Sequence, residues 1–291
     1  MKFISIIALA FLLGCNSPQP EPVEKIQLQA KKPSKPVERP AVEIKVPSPS
    51  DYYLSRYESK FDSSEDGTKI NIELASKLIN GVVLLPGAVF SFNKVVGNRT
   101  KERGFVDSRV IMSGVTQIGI GGGVCQVSST LNGAVIFAGL KPNKWRVHST
   151  GPMKYIKPGL DAAVAWPNID YAFTNTHPFP IMIKSGVDGG DLFVSIFGQS
   201  TLKNKTIKLT SWSKNGDRFK VRKQTLPWYK GSYNKKIQDG KNGKYVWVKI
   251  ESSISGEMTE FTHLANYRPA HEVWNLGPEH PESDNYKGDR L

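Results

Sequence analysis

The chain has 291 residues, 39% of them hydrophobic, only two cysteines, and a formal net charge of +13. That length suits one or two globular domains. It excludes a disulfide framework and a four-cysteine zinc site, and no apolar run of membrane-spanning length lies beyond the extreme N-terminus. The charge favours an anionic partner, whether nucleic acid, anionic lipid or an acidic wall polymer, without choosing among them.

Met1-Lys2 gives a positive start, and Phe3 to Leu13 is an almost unbroken apolar run that ends at Leu12-Leu13-Gly14-Cys15. These are the proportions of a signal-peptide core, and the tetrapeptide resembles a bacterial lipobox, in which the cysteine thiol receives diacylglycerol. The alternatives are an ordinary cleaved signal or a buried apolar strand. Residues 1–15 are accordingly expected to be a lipoprotein signal with Cys15 as the lipid attachment site, which leaves Cys125 alone. Asn16 after Cys15, in place of an aspartate, hints at outer-membrane sorting if the cell is diderm.

Residues 16–50 hold 8 of the 19 prolines and no glycine or aromatic residue. Such a segment cannot bury enough apolar surface to offset its ordering entropy, so it reads as a disordered tether. At about 3.1 Å per residue it would reach on the order of 100 Å.

From Asp51 onward aromatics, glycines and alternating patterns coincide, marking folded structure. Asn71 to Gly81 predicts a short helix, with Ile72, Ala75, Leu78 and Ile79 on one face and Gly81 as the stop. Val82 to Phe92 reads as extended or turn structure around Pro86-Gly87, Val106 to Val115 as a strand, and Gly119 to Gly123 as a glycine-rich loop. Gln126 to Ala138 predicts a helix that starts at the cysteine and stops at Gly139. Short strands are expected at 147–149, 162–166, 171–174, 180–185 and 192–197. The class is α+β, with the sheet in the second half. A composition shift near Gln199 begins a basic part: residues 201–291 hold 17 Lys/Arg against 10 Asp/Glu. Strands are expected there at 221–224, 245–250 and 260–264. The resulting division is a domain over 51–199, a small basic β-rich module over 200–278 and a loose tail over 279–291.

The segment Gly119 to Thr130, GIGGGVCQVSST, is the most informative in the chain. A lone cysteine of an exported protein is either buried and inert or exposed and used. Here glycines let backbone N–H groups approach a ligand, and a helix starting at Cys125 turns its positive dipole end toward the sulfur, favouring thiolate. Gly122, Gly123, Val124, Gln126, Ser128 and Ser129 are the candidate substrate or oxyanion groups. Of the five histidines, His148 is the best candidate base, since it follows soon after the cysteine helix in the same domain. His177, in a Thr-His-Pro-Phe-Pro turn, looks structural. Asp161 or Asp170 could orient the imidazole, with Asp161 the first choice.

The phrases NIELASKLINGVVLLPGAVFSFN, VVGNRTKERGF, GGGVCQVSSTL, His148-Ser149, YIKPGLDAAVAW and IDYAFTNTHPFPI together resemble the VanW family over about Tyr53 to Gly198. Asn132 and Ala163 depart from the common tyrosine and threonine. Some members are regarded as cysteine L,D-transpeptidases that cross-link peptidoglycan stems. The resemblance implies Cys125 as nucleophile, His148 as its histidine and no metal or organic cofactor. More faintly, Gly240, Gly243, Gly256 and NYRPAHEVWNLG resemble a five-glycine module linked to binding amino sugars of cell walls; a stabilising β-rich extension is the alternative.

Two functions follow as expectations. One is an envelope-anchored transpeptidase, or with water as acceptor a carboxypeptidase, acting on peptidoglycan stem peptides. The other is a non-catalytic lipoprotein that binds peptidoglycan glycan or stem peptide through the VanW-like domain and the basic C-terminal module together. Nucleic-acid binding is set aside, because the chain reads as exported and its basic residues are interleaved with acids.

Overall fold

The computed structural model describes residues 52–112, 115–199, 202, 204–225 and 235–276. Cys15, the signal, the tether, His280 and the tail at 279–291 lie outside the described residues. β1 (Tyr52–Lys60) is followed by α1 (Asp66–Ile79), β2 (Val83–Leu84), β3 (Val89–Ser91) and the one-turn α2 (Phe92–Val96). The hairpin β4 (Asp107–Met112) and β5 (Val115–Ile120) leads into α3 (Val124–Phe137), then β6 (Pro142–Lys144). A long irregular stretch separates β6 from β7 (Ala172–Thr174), β8 (Ile181–Asp188) and β9 (Asp191–Gly198). The C-terminal part is all β: β10 (Thr206–Asn215), β11 (Val221–Thr225), β12 (Lys235–Gln238), β13 (Lys244–Ile254), β14 (Glu257–Tyr267) and β15 (Glu272–Leu276).

The central sheet has the order β1-β9-β8-β2 with antiparallel neighbours. Contrary to the expectation of a sheet confined to the second half, its edge is β1, from the start of the described chain. That strand escapes a hydrophobic pattern because two of its buried positions are serines: Ser55 donates to the Ala134 carbonyl at 2.6 Å, and Ser59 shares a 2.7 Å bond with Thr130. Both bonds go to α3, so β1 is fitted to the helix through polar side chains.

Every residue of α3 except Cys125 and Phe137 is buried. Its apolar positions, including Val127, Leu131, Ala134 and Val135, enter one core with α1, β8 and β9. A helix buried on all sides needs small side chains and partners for its polar ones. Ser128, Ser129 and Thr130 supply the first and satisfy the second through bonds to nearby carbonyls. α1 begins five residues before the expected start, at Asp66, whose acid suits the helix N-terminus. Gly67 admits the Asp107 carbonyl where a Cβ would collide, so packing against β4 extends the helix through a polar stretch.

Other expectations change. The strand expected over 106–115 is a hairpin arm plus the start of its partner, and Gly119 and Ile120 belong to β5. The segments 147–149 and 162–166 are irregular, held by side-chain bonds and by an isolated bridge between Ala165 and Ile169. β10, β12 and β15, unmarked by the patterns above, complete two C-terminal sheets, β10-β13-β14 and β11-β15-β12. Val246, Val248, Ile250, Ala265 and Tyr267 of the first sheet form a second core with Ile136 of α3 and with Val147, Ile156 and Leu160 of the irregular stretch.

Candidate functional site

α3 starts from a glycine turn shaped for close approach. Gly123 occupies the helix N-cap position at φ 99°, and a Cβ on Gly122 would overlap the Arg109 carbonyl. Asn71 of α1 locks this turn: its amide donates to the Val106 and Gly122 carbonyls, both at 3.0 Å, and its oxygen accepts from Val106 N–H at 2.9 Å. The first-turn amides of Val124 and Gln126 donate to Gly121 and Gly123 carbonyls at 3.2 and 2.9 Å. The Cys125 amide between them has no acceptor among the described residues. It is therefore the amide available for a developing oxyanion beside the sulfur.

Cys125 is partly exposed and lines a cleft of about 620 Å³ together with Gly121, Gly122, Gly123, Val124, Gln126, Arg99, Arg109, His148, Tyr155 and Trp166. Its sulfur meets both backbone groups of Val164, which donates from N–H at 3.4 Å and can accept a thiol proton at its carbonyl at 3.3 Å. Either protonation state of the sulfur thus has a partner.

His148 and Asp161 complete the arrangement. The imidazole lies beside the Cys125 sulfur on the wall of the same cleft, and its Nδ1 is 2.7 Å from Asp161 Oδ2, which also accepts the His148 backbone N–H at 2.8 Å. Asp161 is 0% exposed and the His148 side chain 11%. Burial by itself lowers the His148 pKa, but the hydrogen bonds to Asp161 and Cys125 and their charges outweigh it and push it up to about 10. Burial likewise raises the Cys125 pKa, yet the His148 bond and charge, the Val164 amide and the Arg99 charge leave it lowered. Both shifts run toward thiolate and imidazolium, the direction that favours nucleophilic sulfur.

Of the predicted site residues, Cys125, His148, Asp161, Gly122, Gly123, Val124 and Gln126 are brought together at this cleft or directly behind it. The Gln126 amide is committed to Ser59 Oγ and the Lys60 carbonyl, both at 2.9 Å. Ser128 and Ser129 are not brought to the cleft. Both are fully buried: Ser128 Oγ donates to the Ala162 carbonyl at 2.6 Å, while Ser129 Oγ donates to the Cys125 carbonyl at 2.7 Å and accepts from Ala162 N–H at 2.9 Å. They fasten the segment carrying Asp161 to the helix carrying Cys125. Asp170 lies at the start of α2, accepting from Ser91 Oγ at 2.7 Å and Asn93 N–H at 2.8 Å. His177 is buried against the Ala138 carbonyl at 3.0 Å.

Several contributors carried no local signal. Tyr155 lines the cleft, and burial raises its hydroxyl well above the ordinary tyrosine range. Arg99 lines the same cleft, its Nη1 bonded to Asn93 Oδ1 at 2.7 Å and the Gly97 carbonyl at 3.0 Å, with Nη2 buried and without a partner among the described residues. Arg109, also at the cleft, is ion-paired with Glu65. Tyr267 of β14 donates to Asp161 Oδ1. Among the described residues no cluster of His, Cys, Asp and Glu has the arrangement of a metal site.

The chain is 37% identical over 156 residues to the uncharacterized protein YoaR of Bacillus subtilis (strain 168), covering 54% of this chain and 51% of that one. It is 32% identical over 83 residues to the vancomycin B-type resistance protein VanW of Enterococcus faecalis (strain ATCC 700802 / V583), covering 28% of this chain and 30% of that one. The matches thus span about half the length of one relative and under a third of the other. A solved structure titled "Crystal structure of HP0197-G5" aligns over 26% of this chain and all of its own, at 15% identity and a TM-score of 0.15, too low to carry an argument. Residues 67–197 match the family described as VanW like protein, a span that contains Cys125, His148 and Asp161. The chain therefore carries a VanW-family domain, and the cleft described above lies within it.

Proposed function

We propose that the protein is a cell-envelope acyltransferase acting on peptidoglycan stem peptides, held to a membrane through lipidated Cys15, outer if the cell is diderm. The VanW relationship supports a cell-wall role. The observation that carries the chemistry is the Cys125, His148 and Asp161 arrangement at the base of an open cleft.

The Cys125 thiolate attacks the carbonyl carbon between an L-centre and a terminal D-residue, forming a C–S bond. The resulting oxyanion faces the Cys125 amide at the N-terminus of α3. His148 gives its proton to the departing amine nitrogen as the C–N bond breaks, leaving a thioester and a free D-amino acid. The amine of a second stem then attacks the thioester, His148 takes its proton, and the thiolate leaves, restoring the starting state. Water in place of that amine gives a carboxypeptidase. Asp161 keeps the imidazole turned toward the sulfur throughout.

Incubation with a stem tetrapeptide or a carbapenem followed by intact-mass measurement tests the reading. The expected result is a thioester adduct on the native chain and none on Cys125→Ala. Equal labelling of both proteins would overturn it.

A further inference from the structure

We infer that Tyr267, a residue of the C-terminal sheet outside the matched VanW span, is a positioning residue for the Cys125 site, acting through Asp161. The inference rests on the reading of Cys125 and His148 as the reactive pair, and extends the site beyond the domain that carries it.

The Asp161 carboxylate has no access to solvent, so each of its oxygens needs a donor from the protein. Oδ2 receives both donors of His148. Oδ1 receives the hydroxyl of Tyr267, which in turn accepts the Gly159 N–H at 2.7 Å. A hydroxyl that accepts one backbone bond has its proton directed along the remaining one, so the loop residue Gly159 aims the Tyr267 proton at the carboxylate. Tyr267 is itself 1% exposed, its ring set among Val246, Val248 and Ala265. The position of its oxygen is thus fixed by the packing of the β10-β13-β14 sheet.

The same sheet grips the irregular stretch at two further points. His263 of β14 stacks on Trp145, with ring centroids 3.6 Å apart, and the Trp145 indole donates to the Asp161 carbonyl at 3.0 Å. Arg268 N–H donates to the Ser149 carbonyl at 2.6 Å, one residue after the imidazole. Residues 145–161 form no strand or helix of their own, and on the VanW side α3 holds them through Ile136 and through Asn132, which donates to the Leu160 carbonyl at 2.7 Å. The C-terminal sheet supplies the support from the other side, and through Tyr267 it touches the carboxylate directly.

The ionisable groups around the Asp161 carboxylate are His148, Cys125, Tyr155, His263 and Tyr267, with the Arg99 charge acting on the sulfur. His263 is pushed by burial down to about 4 and is neutral at working pH, and both tyrosines are raised and stay protonated. The charge that holds the imidazolium is therefore that of the carboxylate, and the donor that stabilises its second oxygen is Tyr267.

The test is the pH profile of Cys125 alkylation by iodoacetamide on the full chain, which reads the thiolate without any assumption about the natural substrate. In Tyr267→Phe the ring and its packing remain, but Oδ1 loses its donor, the buried charge becomes less favourable, and the imidazolium is held less well. The acid limb of the profile should move up by about one pH unit. In an Asp161→Asn background the same substitution should leave the profile where it is. Coincident profiles for the native chain and folded Tyr267→Phe would overturn the inference, as would an equal shift in the Asp161→Asn background, which would mean the tyrosine acts by packing alone. Should Tyr267→Phe not fold, 3,5-difluorotyrosine placed at position 267 keeps the hydroxyl and makes it a stronger donor. The limb must then move down, and an unmoved limb has the same adverse meaning. Failure to form a thioester with stem peptide, with the alkylation shift present, would count against the proposed substrate and leave the Tyr267 assignment standing.

Discussion

The two halves of the site are built in opposite ways. Cys125 begins a helix whose every other residue up to Ile136 is buried, and Asn71 and the glycine turn fix its start. His148 and Asp161 lie on an irregular stretch held by hydrogen bonds, to Ser128 and Ser129 on the helix side and to Tyr267 and Arg268 on the sheet side, and by Val147, Ile156 and Leu160 in the second core. Cys125 is thus fixed by a buried helix, whereas His148 and Asp161 depend on polar contacts and a few apolar ones made by a segment without regular structure. Substitutions at the partners should cost chemistry without unfolding the chain, whereas substitutions in α3 should do the reverse.

The contrast is sharpest at Asp161. Asp161→Asn keeps the shape of the side chain but removes the charge that holds His148 as imidazolium and presents an N–H where an acceptor is needed. The expected outcome is a loss of about 10²- to 10⁴-fold in thioester formation, measured as single-turnover rate with a stem tetrapeptide. Circular dichroism should be unchanged.

A second way to sharpen it is stability against pH, because the reactive pair redistributes a proton without changing the total. His148, raised from 6.5 to about 10, contributes stability that is fully present below pH 6.5 and lost as pH rises through about 10. Cys125, lowered from 9.0, contributes stability present above pH 9 and lost as pH falls through its folded value. Between about pH 6.5 and 9 the folded pair holds one proton on nitrogen and the unfolded pair holds one on sulfur, so the two slopes cancel. His177 and His263, whose pKa values burial lowers, affect only the region below pH 6.5. The urea midpoint of the native chain should therefore be flat across that window. In Cys125→Ala only the His148 effect remains, and the midpoint should fall as pH rises. A flat profile in both proteins would mean that the pair is neutral at rest.

How far the site could be read from sequence follows the same division. The cysteine, its glycine turn and its helix are local features, visible as a glycine run followed by apolar residues at helical spacing. His148 was within reach because it follows the helix closely. The choice between Asp161 and Asp170 was not, since both sit in similar extended-looking sequence and only the path of an irregular chain separates them. Tyr267, Arg99, Tyr155 and Asn71 leave no trace at all. Tyr267 and Asn71 reach their partners across tens of residues, and Arg99 and Tyr155 come to the cleft through the path of the chain, none of which a periodicity records. β1 was hidden for a related reason, its buried face being Ser55 and Ser59 fitted to α3 by hydrogen bonds.

Asp170 gives the smallest effect on chemistry and the cleanest control. Its carboxylate takes the Ser91 hydroxyl and the Asn93 N–H, in the position of a group that closes the first turn of α2. Asn93 in turn donates to the Ile169 carbonyl at 2.9 Å and accepts from Arg99 at 2.7 Å, so Asp170 supports the wall of the cleft at two removes from the sulfur. Asp170→Asn should lower stability by about 1 kcal/mol, the usual cost of weakening a charged cap, read as a lower urea midpoint at unchanged slope. The pH profile of Cys125 alkylation should superimpose on that of the native chain. A shifted acid limb would mean that the field of Asp170 reaches the sulfur through Arg99, and the separation of the two acids into a chemical one and a structural one would not hold.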